Sequence, residues 1–556
     1  MSLRTLRLAA LALVVPSLLA AQVTHPLAAR IDSLFADYGA GTPGAAVAVV
    51  QHGEVLYEQS YGMADLEHEI PITSATVFDI ASFSKQFAGM AIAMLVEKGG
   101  VSLDENIRTY IPEVPDFGTP ITVRHLVHHI SGIRDWPATL GIAGWQMDDV
   151  ISFQQIMTMV WHQQDLNFPP GAEYSYSNTG YNLLAEIVAR VSGMSFRAWT
   201  DTNIFEPLGM ENTHFHDDHQ EVVPNRAYGY SSAEDGYRVA HNGLTAFGSS
   251  SLFTTIADLT KWAANFDDPK VGGVAVIERM HERGKLNIGR PVHYAFGLAF
   301  EEYRGLSTSS HGGSWANFRT HFLRFPDQGF TVMVLGNSAS FNPSSRCYRI
   351  ADMYLADVMA PQATSTSSAD RPEVTVDGLL LDEYVGTYKL GPGWLVTVTR
   401  SGNRLMTQAT EEPAFPMKAV SDREFWVADY GASIAFMRNR ATNDVSWIQY
   451  RGMQAPRVQL FEPSVEQLGE YVGRYYSEEL GAAYDVVLEG DRLFALHRRH
   501  GEITLLPTVK DEFRAGRWFL RAVTFVRDPD GAVTGMRVGV GRARNLKFER
   551  KGLEGS

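Results

Sequence analysis

Apolar residues recur at helical spacing at Leu27, Ile31, Leu34 and Tyr38, which predicts a helix over residues 26–39. An unbroken apolar run over 45–50 reads as a strand, Gln51-His52-Gly53-Glu54 as a turn, and 55–57 as the start of the returning strand. From 82 to 262 the helical period dominates. One helix is predicted over 84–98, with Phe87, Met90, Ala91, Met94 and Leu95 as its apolar stripe and Gly99-Gly100 as its end. Strand patterns return over 293–303 and 318–336. A sheet whose first and last strands come from the two ends of one domain, with helices between them, implies α/β layers plus a helical lobe.

Residues 360–377 carry serines, threonines and prolines with little apolar content and read as a linker. Beyond them the texture changes to short strands of period two, and the chain repeats itself. Glu383-Tyr384-Val385-Gly386-Thr387-Tyr388 returns as Glu470-Tyr471-Val472-Gly473-Arg474-Tyr475. Asn403-Arg404-Leu405 returns as Asp491-Arg492-Leu493, and Glu424-Phe425 as Glu512-Phe513. The offset stays at about 88 residues, as a tandem duplication gives. Each copy holds enough strands for a small antiparallel barrel. The expected organisation is a signal peptide at 1–21, an α/β domain at 22–359, a linker at 360–377, and β-barrel domains at 378–463 and 464–556.

The signal peptide is read from Arg4 and Arg7, an apolar run over 8–15, and the small residues Ala20 and Ala21. That run is too short to span a membrane, so the chain is expected to be exported, periplasmic or secreted. Its single cysteine, Cys347, allows no internal disulfide and reads as a packing residue. With 63 acidic against 48 basic side chains, the net charge of −15 argues against nucleic acid as a partner. The partner expected is a small molecule or short peptide. Oligomeric state is not fixed by these features.

Three short patterns carry chemistry. Ser82 precedes Lys85 by three residues, and no other lysine in the chain has a serine at that spacing. Residues three apart on a helix share a face, so Lys85 can reach the Ser82 hydroxyl and serve as its base once burial depresses its pKa. At a helix N-terminus, Ser82 also has free N–H groups for a developing negative charge. Tyr176-Ser177-Asn178 follows, expected on a loop before a helix over 181–192. It offers a phenol to pass a proton and an amide to hold Lys85 and a substrate carbonyl. His311-Gly312-Gly313 is expected as a glycine loop ahead of Ser314 and a strand. Glycines there permit close backbone approach to a ligand. Each pattern alone could be a capped helix, a solvated turn or a glycine turn. Together, each present once and in order, they point to serine acyl transfer.

These motifs resemble the penicillin-recognising serine hydrolases, the group of class C β-lactamases, D,D-peptidases, D-aminopeptidases and esterases. Ile121 to Gly132, Phe168-Pro169-Pro170-Gly171, Tyr174 to Tyr181 and Leu252 to Trp262 extend the likeness. The resemblance implies an acyl-enzyme on Ser82, with Lys85 and Tyr176 moving the proton. It also implies that Asn178 orients the substrate, and that backbone N–H groups of Ser82 and Ser314, beside Gly313, bind the oxyanion. β-Lactamases of this group have lysine where this chain has His311, and a histidine near pH 7 is mostly neutral. His311 therefore resembles the D-aminopeptidases and esterases, as does the layout with two C-terminal barrels.

Two histidine clusters are set aside. His125, His128 and His129 have metal-like spacing on an expected helix, and His214, His216, Asp217, Asp218 and His219 read as a solvated loop. The expectation is a serine hydrolase acting on small amides, D-amino-acid peptides or esters, without metal or organic cofactor. The alternatives are a β-lactamase or D,D-carboxypeptidase, and an idle homologue that only binds peptidoglycan or protein.

Overall fold

The structure is a computed structural model that describes residues 26–361 and 372–552. The expected signal peptide, and most of the expected linker, lie outside the described residues.

The catalytic unit is built on a seven-stranded antiparallel sheet. Strands β1 (Ala45–Gln51) and β2 (Glu54–Tyr61) form the early hairpin. Among the helices that intervene are α1 (Lys85–Glu97), α2 (Trp136–Ile142), α3 (Asn178–Ser192) and α4 (Ile256–Ala264). The remaining strands are β3 (Tyr294–Ala295), β4 (Leu298–Tyr303), β5 (Leu306–Trp315), β6 (Phe318–Phe325) and β7 (Phe330–Gly336), followed by helix α5 (Pro343–Tyr354). The sheet order is β3-β4-β5-β6-β7-β1-β2, so the first and last strands of the unit meet at the β7–β1 ladder.

The continuous apolar run of β1 follows from this central place. Ala46, Ala48 and Val50 enter the core shared with α1 and α4, while Ala45, Val47 and Val49 enter a second core with α5. A strand covered on both faces has no polar alternation to display. Cys347 lies in the second core, fully buried.

Three sequence readings change. The helix expected over 26–39 is shorter: an α-helical turn at Ala28–Asp32 and a 3-10 turn at Ser33–Phe35 suffice to bury Ile31, Leu34 and Phe35. Helix α1 has no solvent face near its start. Every residue from Lys85 to Leu95 is buried, because the helix runs between the sheet and the helical lobe. Gly89 makes that fit possible, since a Cβ there would lie 2.1 Å from the Phe296 carbonyl oxygen. The third change is β5, which carries the His311 motif as a paired strand.

The duplicated C-terminal segment folds as two closed eight-stranded barrels. The first closes between strands Gly386–Gly391 and Met453–Val458, and the second between Gly473–Ser477 and Ala543–Lys551. The repeated tyrosines do the same work twice. Tyr388 donates to the Tyr384 carbonyl at 2.8 Å, and Tyr475 to the Tyr471 carbonyl at 2.7 Å. The ion pair Arg438–Glu383 likewise recurs as Arg527–Glu470.

The second barrel docks directly on the catalytic unit. Ala138 and Ile142 of α2 join the barrel's own core, and Tyr484 donates to the Ile142 carbonyl at 2.8 Å. A buried ion pair joins Arg134 to Glu479 across the junction. The hairpin between strands Val533–Val540 and Ala543–Lys551 reaches furthest. The Arg542 carbonyl accepts from the Asp135 N–H at 3.0 Å and from Asn167 Nδ2 at 2.8 Å.

Candidate active site

Ser82 lies in a 3-10 turn, Ala81–Ser84, that leads into α1. Its N–H is in the first turn, where no intrahelical acceptor exists. Ala81 before it has φ +48°, a left-handed conformation that a residue with a Cβ disfavours. Asp79 holds that conformation by accepting the Ala81 N–H at 2.8 Å.

Lys85 is wholly buried and makes three contacts. Its Nζ lies 2.8 Å from Asn178 Oδ1, 2.7 Å from the Ser249 carbonyl oxygen and 3.1 Å from Ser82 Oγ. Burial pushes its pKa well below the usual lysine range; the negative charge of Asp135 opposes this and the Arg542 cation adds to it. A neutral amine has two N–H donors and one lone pair. Asn178 Oδ1 and the Ser249 carbonyl can only accept, so they take the donors and the lone pair is left for the Ser82 hydroxyl.

Tyr176 is close enough to Ser82 to hydrogen-bond it, and burial raises its phenol above the usual tyrosine range. Burial thus favours the neutral form of both the phenol and the Lys85 amine beside it. Asn178 opens α3 rather than sitting on a loop before it, because Ser177 caps the helix by accepting the Gly180 N–H at 3.3 Å. Both ends of its amide are engaged: Nδ2 donates to Asp135 Oδ2 at 3.2 Å while Oδ1 faces Lys85.

His311 sits within β5, opposite Phe322 of β6. The polar, glycine-rich Ser309-Ser310-His311-Gly312-Gly313-Ser314 stretch has weak strand propensity, yet all of it is paired with β6, and Ser309 and Ser310 are paired with β4 as well. Its Nδ1 faces the Gly312 carbonyl at 2.7 Å and its Nε2 faces the Tyr294 hydroxyl at 2.8 Å. Burial lowers its pKa to about 3, with the Lys85 charge adding to the effect, so His311 is neutral. Gly313 backs onto the turn that holds Ser82. A Cβ there would lie 2.1 Å from the Ile80 carbonyl oxygen, which also accepts from Thr320 Oγ1 at 3.0 Å. Ser314 follows in the same strand, paired with Arg319.

The comparisons with known proteins come from three directions. A family model described as Beta-lactamase matches residues 31–353. The chain belongs to the β-lactamase family. It is 26% identical to a D-aminopeptidase from Gluconobacter oxydans (strain 621H) over 528 residues, covering 91% of this chain and 96% of the relative. Penicillin-binding protein 4* of Bacillus subtilis (strain 168) is also 26% identical, over 70% of this chain and 89% of its own. Among solved structures, the octameric penicillin-binding protein homologue from Pyrococcus abyssi superposes with a TM-score of 0.54 at 20% identity, covering 85% of this chain and 98% of that one. SurE superposes with a TM-score of 0.52 at 20% identity, covering 77% and 98%. These two likenesses concern the fold.

In this β-lactamase-family hydrolase, residues that the sequence did not single out complete the site. Asp135 is buried beneath Asn178, accepting its N–H at 2.7 Å and its Nδ2. Tyr294 packs against His129 and Tyr176 and meets His311. His129 packs against Tyr176 with the rings tilted by 41° and their centroids 4.3 Å apart, and its Nδ1 accepts the Ser177 N–H at 3.2 Å. The metal-like spacing of His125, His128 and His129 is not realised. The helix ends at Val127, and His129 turns left-handed with φ +59°. The second cluster is a solvated loop only in part: Asp217 and Asp218 are exposed and outside any strand, but its first two histidines are not. His214 and Phe215 form a strand, and His216 is buried, stacked on Phe253. Glu221 beside them is held by Arg197 at 2.6 and 2.9 Å.

The charges around Lys85 predict how activity responds to pH. With Lys85 as the base, the acid limb of kcat/KM is expected to follow its deprotonation, so that activity rises as pH passes its depressed pKa. Asp135→Asn removes the charge that favours the ammonium, and the limb moves to lower pH. Arg542→Gln removes a charge that disfavours it, and the limb moves to higher pH. Profiles of the three proteins on one neutral ester check both signs.

Proposed function

We propose that this chain is an exported hydrolase that works through an acyl-enzyme on Ser82. Lys85 is the base and Tyr176 the proton relay. The observation that carries this reading is the arrangement of Lys85, with both N–H donors directed at acceptors and its third contact the Ser82 hydroxyl at 3.1 Å.

In this reading Ser82 Oγ attacks the substrate carbonyl carbon as its proton passes to Lys85 Nζ. The carbonyl oxygen becomes an oxyanion held by the Ser82 and Ser314 N–H groups. Tyr176 delivers the proton to the leaving nitrogen or oxygen, that bond breaks, and the acyl group remains on Ser82. Water then attacks the ester by the same route, releasing the acid and restoring the hydroxyl. Asn178 fixes the Lys85 orientation and has one N–H left for the substrate. The substrates proposed are small amides and esters, with D-amino-acid peptides among them, in keeping with relatives named D-aminopeptidase.

The test is to trap the intermediate. Rapid acid quench during turnover of a p-nitrophenyl ester, followed by peptide mass analysis, is expected to find the acyl mass on the peptide containing Ser82. Turnover with no adduct there, and equal turnover by Ser82→Ala, overturns the reading. An unreactive protein that only retains peptide ligands would instead be a binding homologue.

A further inference from the structure

A cation beside the phenol that meets Ser82 comes from the second barrel. Arg542 stands at the tip of the hairpin that enters the site, with its guanidinium carbon 4.8 Å from the centre of the Tyr176 ring. Lys85 Nζ lies at 4.8 Å from the same ring, so the arginine borders the very phenol that meets Ser82. Its nearest carboxylate is Asp135, at 3.5 Å, too far for a good hydrogen bond. Asp135 is only 3% exposed, whereas the Arg542 side chain is 52% exposed.

The other carboxylates near this hairpin are occupied. Glu173 pairs with Arg544 at 3.0 Å and Asp165 with Lys547 at 3.0 Å. Among the described residues, the Arg542 side chain makes no hydrogen bond of its own. Its hairpin is held instead through its backbone, the Arg542 carbonyl receiving Asp135 N–H and Asn167 Nδ2. A guanidinium offers five N–H donors in a planar fork that matches a carboxylate. A fork fixed at its base, half open to solvent and without a hydrogen-bond acceptor is arranged to receive one.

The rest of the pocket does not supply that cation. His311 is neutral and already spent on Tyr294 and Gly312, and Lys85 is wholly buried with its partners satisfied. We propose that Arg542 sets the charge preference of the site, so that it takes amides or esters bearing a carboxylate near the scissile bond and disfavours those bearing an ammonium there. This rests on the acyl-enzyme reading of Ser82. It makes Arg542 a binding residue contributed by the barrel.

The experiment compares substrates that share a scissile bond and differ in charge. The acyl-side set is the p-nitroanilides of N-succinyl-D-alanine, N-acetyl-D-alanine and D-alanine, which carry a carboxylate, no charge and an ammonium. A leaving-side pair is the thioglycolate thioester of N-acetyl-D-alanine and its methyl ester. In the wild type, the carboxylate member of at least one set is expected to exceed its neutral partner about tenfold in kcat/KM, mainly through KM. Arg542→Gln brings that ratio close to unity, and Arg542→Glu reverses it so that the ammonium substrate gains. Ratios within each variant cancel any general loss of activity, and thermal midpoints check that the hairpin remains docked. Charge ratios unmoved by both variants, while Ser82 is still acylated, overturn the Arg542 assignment alone. Failure of the wild type to acylate Ser82 overturns the parent reading with it.

Discussion

Replacing Lys85 with methionine is expected to lower kcat/KM by about ten-thousand-fold on every ester and amide that the wild type turns over. The size follows from the geometry. Ser82 has no other base within its described contacts, and Tyr176 cannot substitute because burial keeps its phenol neutral. Methionine approximates the volume of the lysine stem, so the surrounding buried residues Phe83, Phe87 and Ala88 keep their places. Steady-state kinetics at several pH values measures the loss. A residual rate that climbs tenfold per pH unit would be hydroxide attack and not recovery of the site.

The same variant reports the protonation state through stability. Burial lowers the Lys85 pKa in the folded protein, while the unfolded chain keeps the ordinary value of about 10.4. Between those two values the unfolded state binds the extra proton, so stability rises with pH. The contribution is complete above the unfolded value and is lost as pH falls through the folded one. Wild type minus Lys85→Met, followed by denaturant titration, is therefore expected to slope upward with pH across that window. A flat difference would mean a lysine that stays charged in its pocket.

Glu479→Ala is expected to destabilise the protein by about 3–5 kcal/mol. Arg134 is fully buried and Glu479 is 4% exposed, so removing the carboxylate takes away the guanidinium's ion-pair partner and leaves only the weaker influence of Asp165. Arg134 keeps only a hydrogen bond from Nε to the Arg544 carbonyl at 3.2 Å. Arg134→Leu combined with Glu479→Leu should recover much of the loss, because it removes both buried charges and leaves only the Arg544 carbonyl and the Gln164 N–H without their side-chain partners. Activity should fall in Glu479→Ala beyond what the unfolded fraction explains. Arg134 adjoins Asp135, whose N–H grips the Arg542 carbonyl and whose carboxylate anchors Asn178. Chemical denaturation of both variants, with activity measured below the transition, separates the two effects.

The parts of the site that were legible in the sequence are those whose geometry is local. Ser82 and Lys85 are brought together by one helical turn, and Tyr176 and Asn178 by two residues of chain. The barrels were legible because duplication wrote the same pattern twice. His311 was found by type, but its strand was not, since serine, histidine and glycine hide a ladder that only its neighbours impose. Asp135 and Tyr294 carried no local mark. An acidic residue wedged between Arg134 and Trp136 was the one available hint of buried charge. Arg542 was out of reach entirely, because its meaning depends on how a barrel hairpin docks on a distant unit. His129 was misread for the opposite reason: a helical spacing was extrapolated past the point where the backbone turns left-handed.

The two barrels also differ in what their matching hairpins are answerable for. In the first, the tip at Arg451 and Gly452 folds back on its own surface, with Arg451 against Tyr450 at 5.4 Å and donating to the Tyr430 carbonyl. In the second, the tip leaves its barrel and meets the catalytic unit. One ancestral turn thus lives on in two lineages within a single gene. The first has only its own barrel to satisfy. The second has to satisfy the catalytic unit as well, since its tip holds the Asp135 N–H and borders Tyr176, so a substitution there reaches the site without touching Ser82.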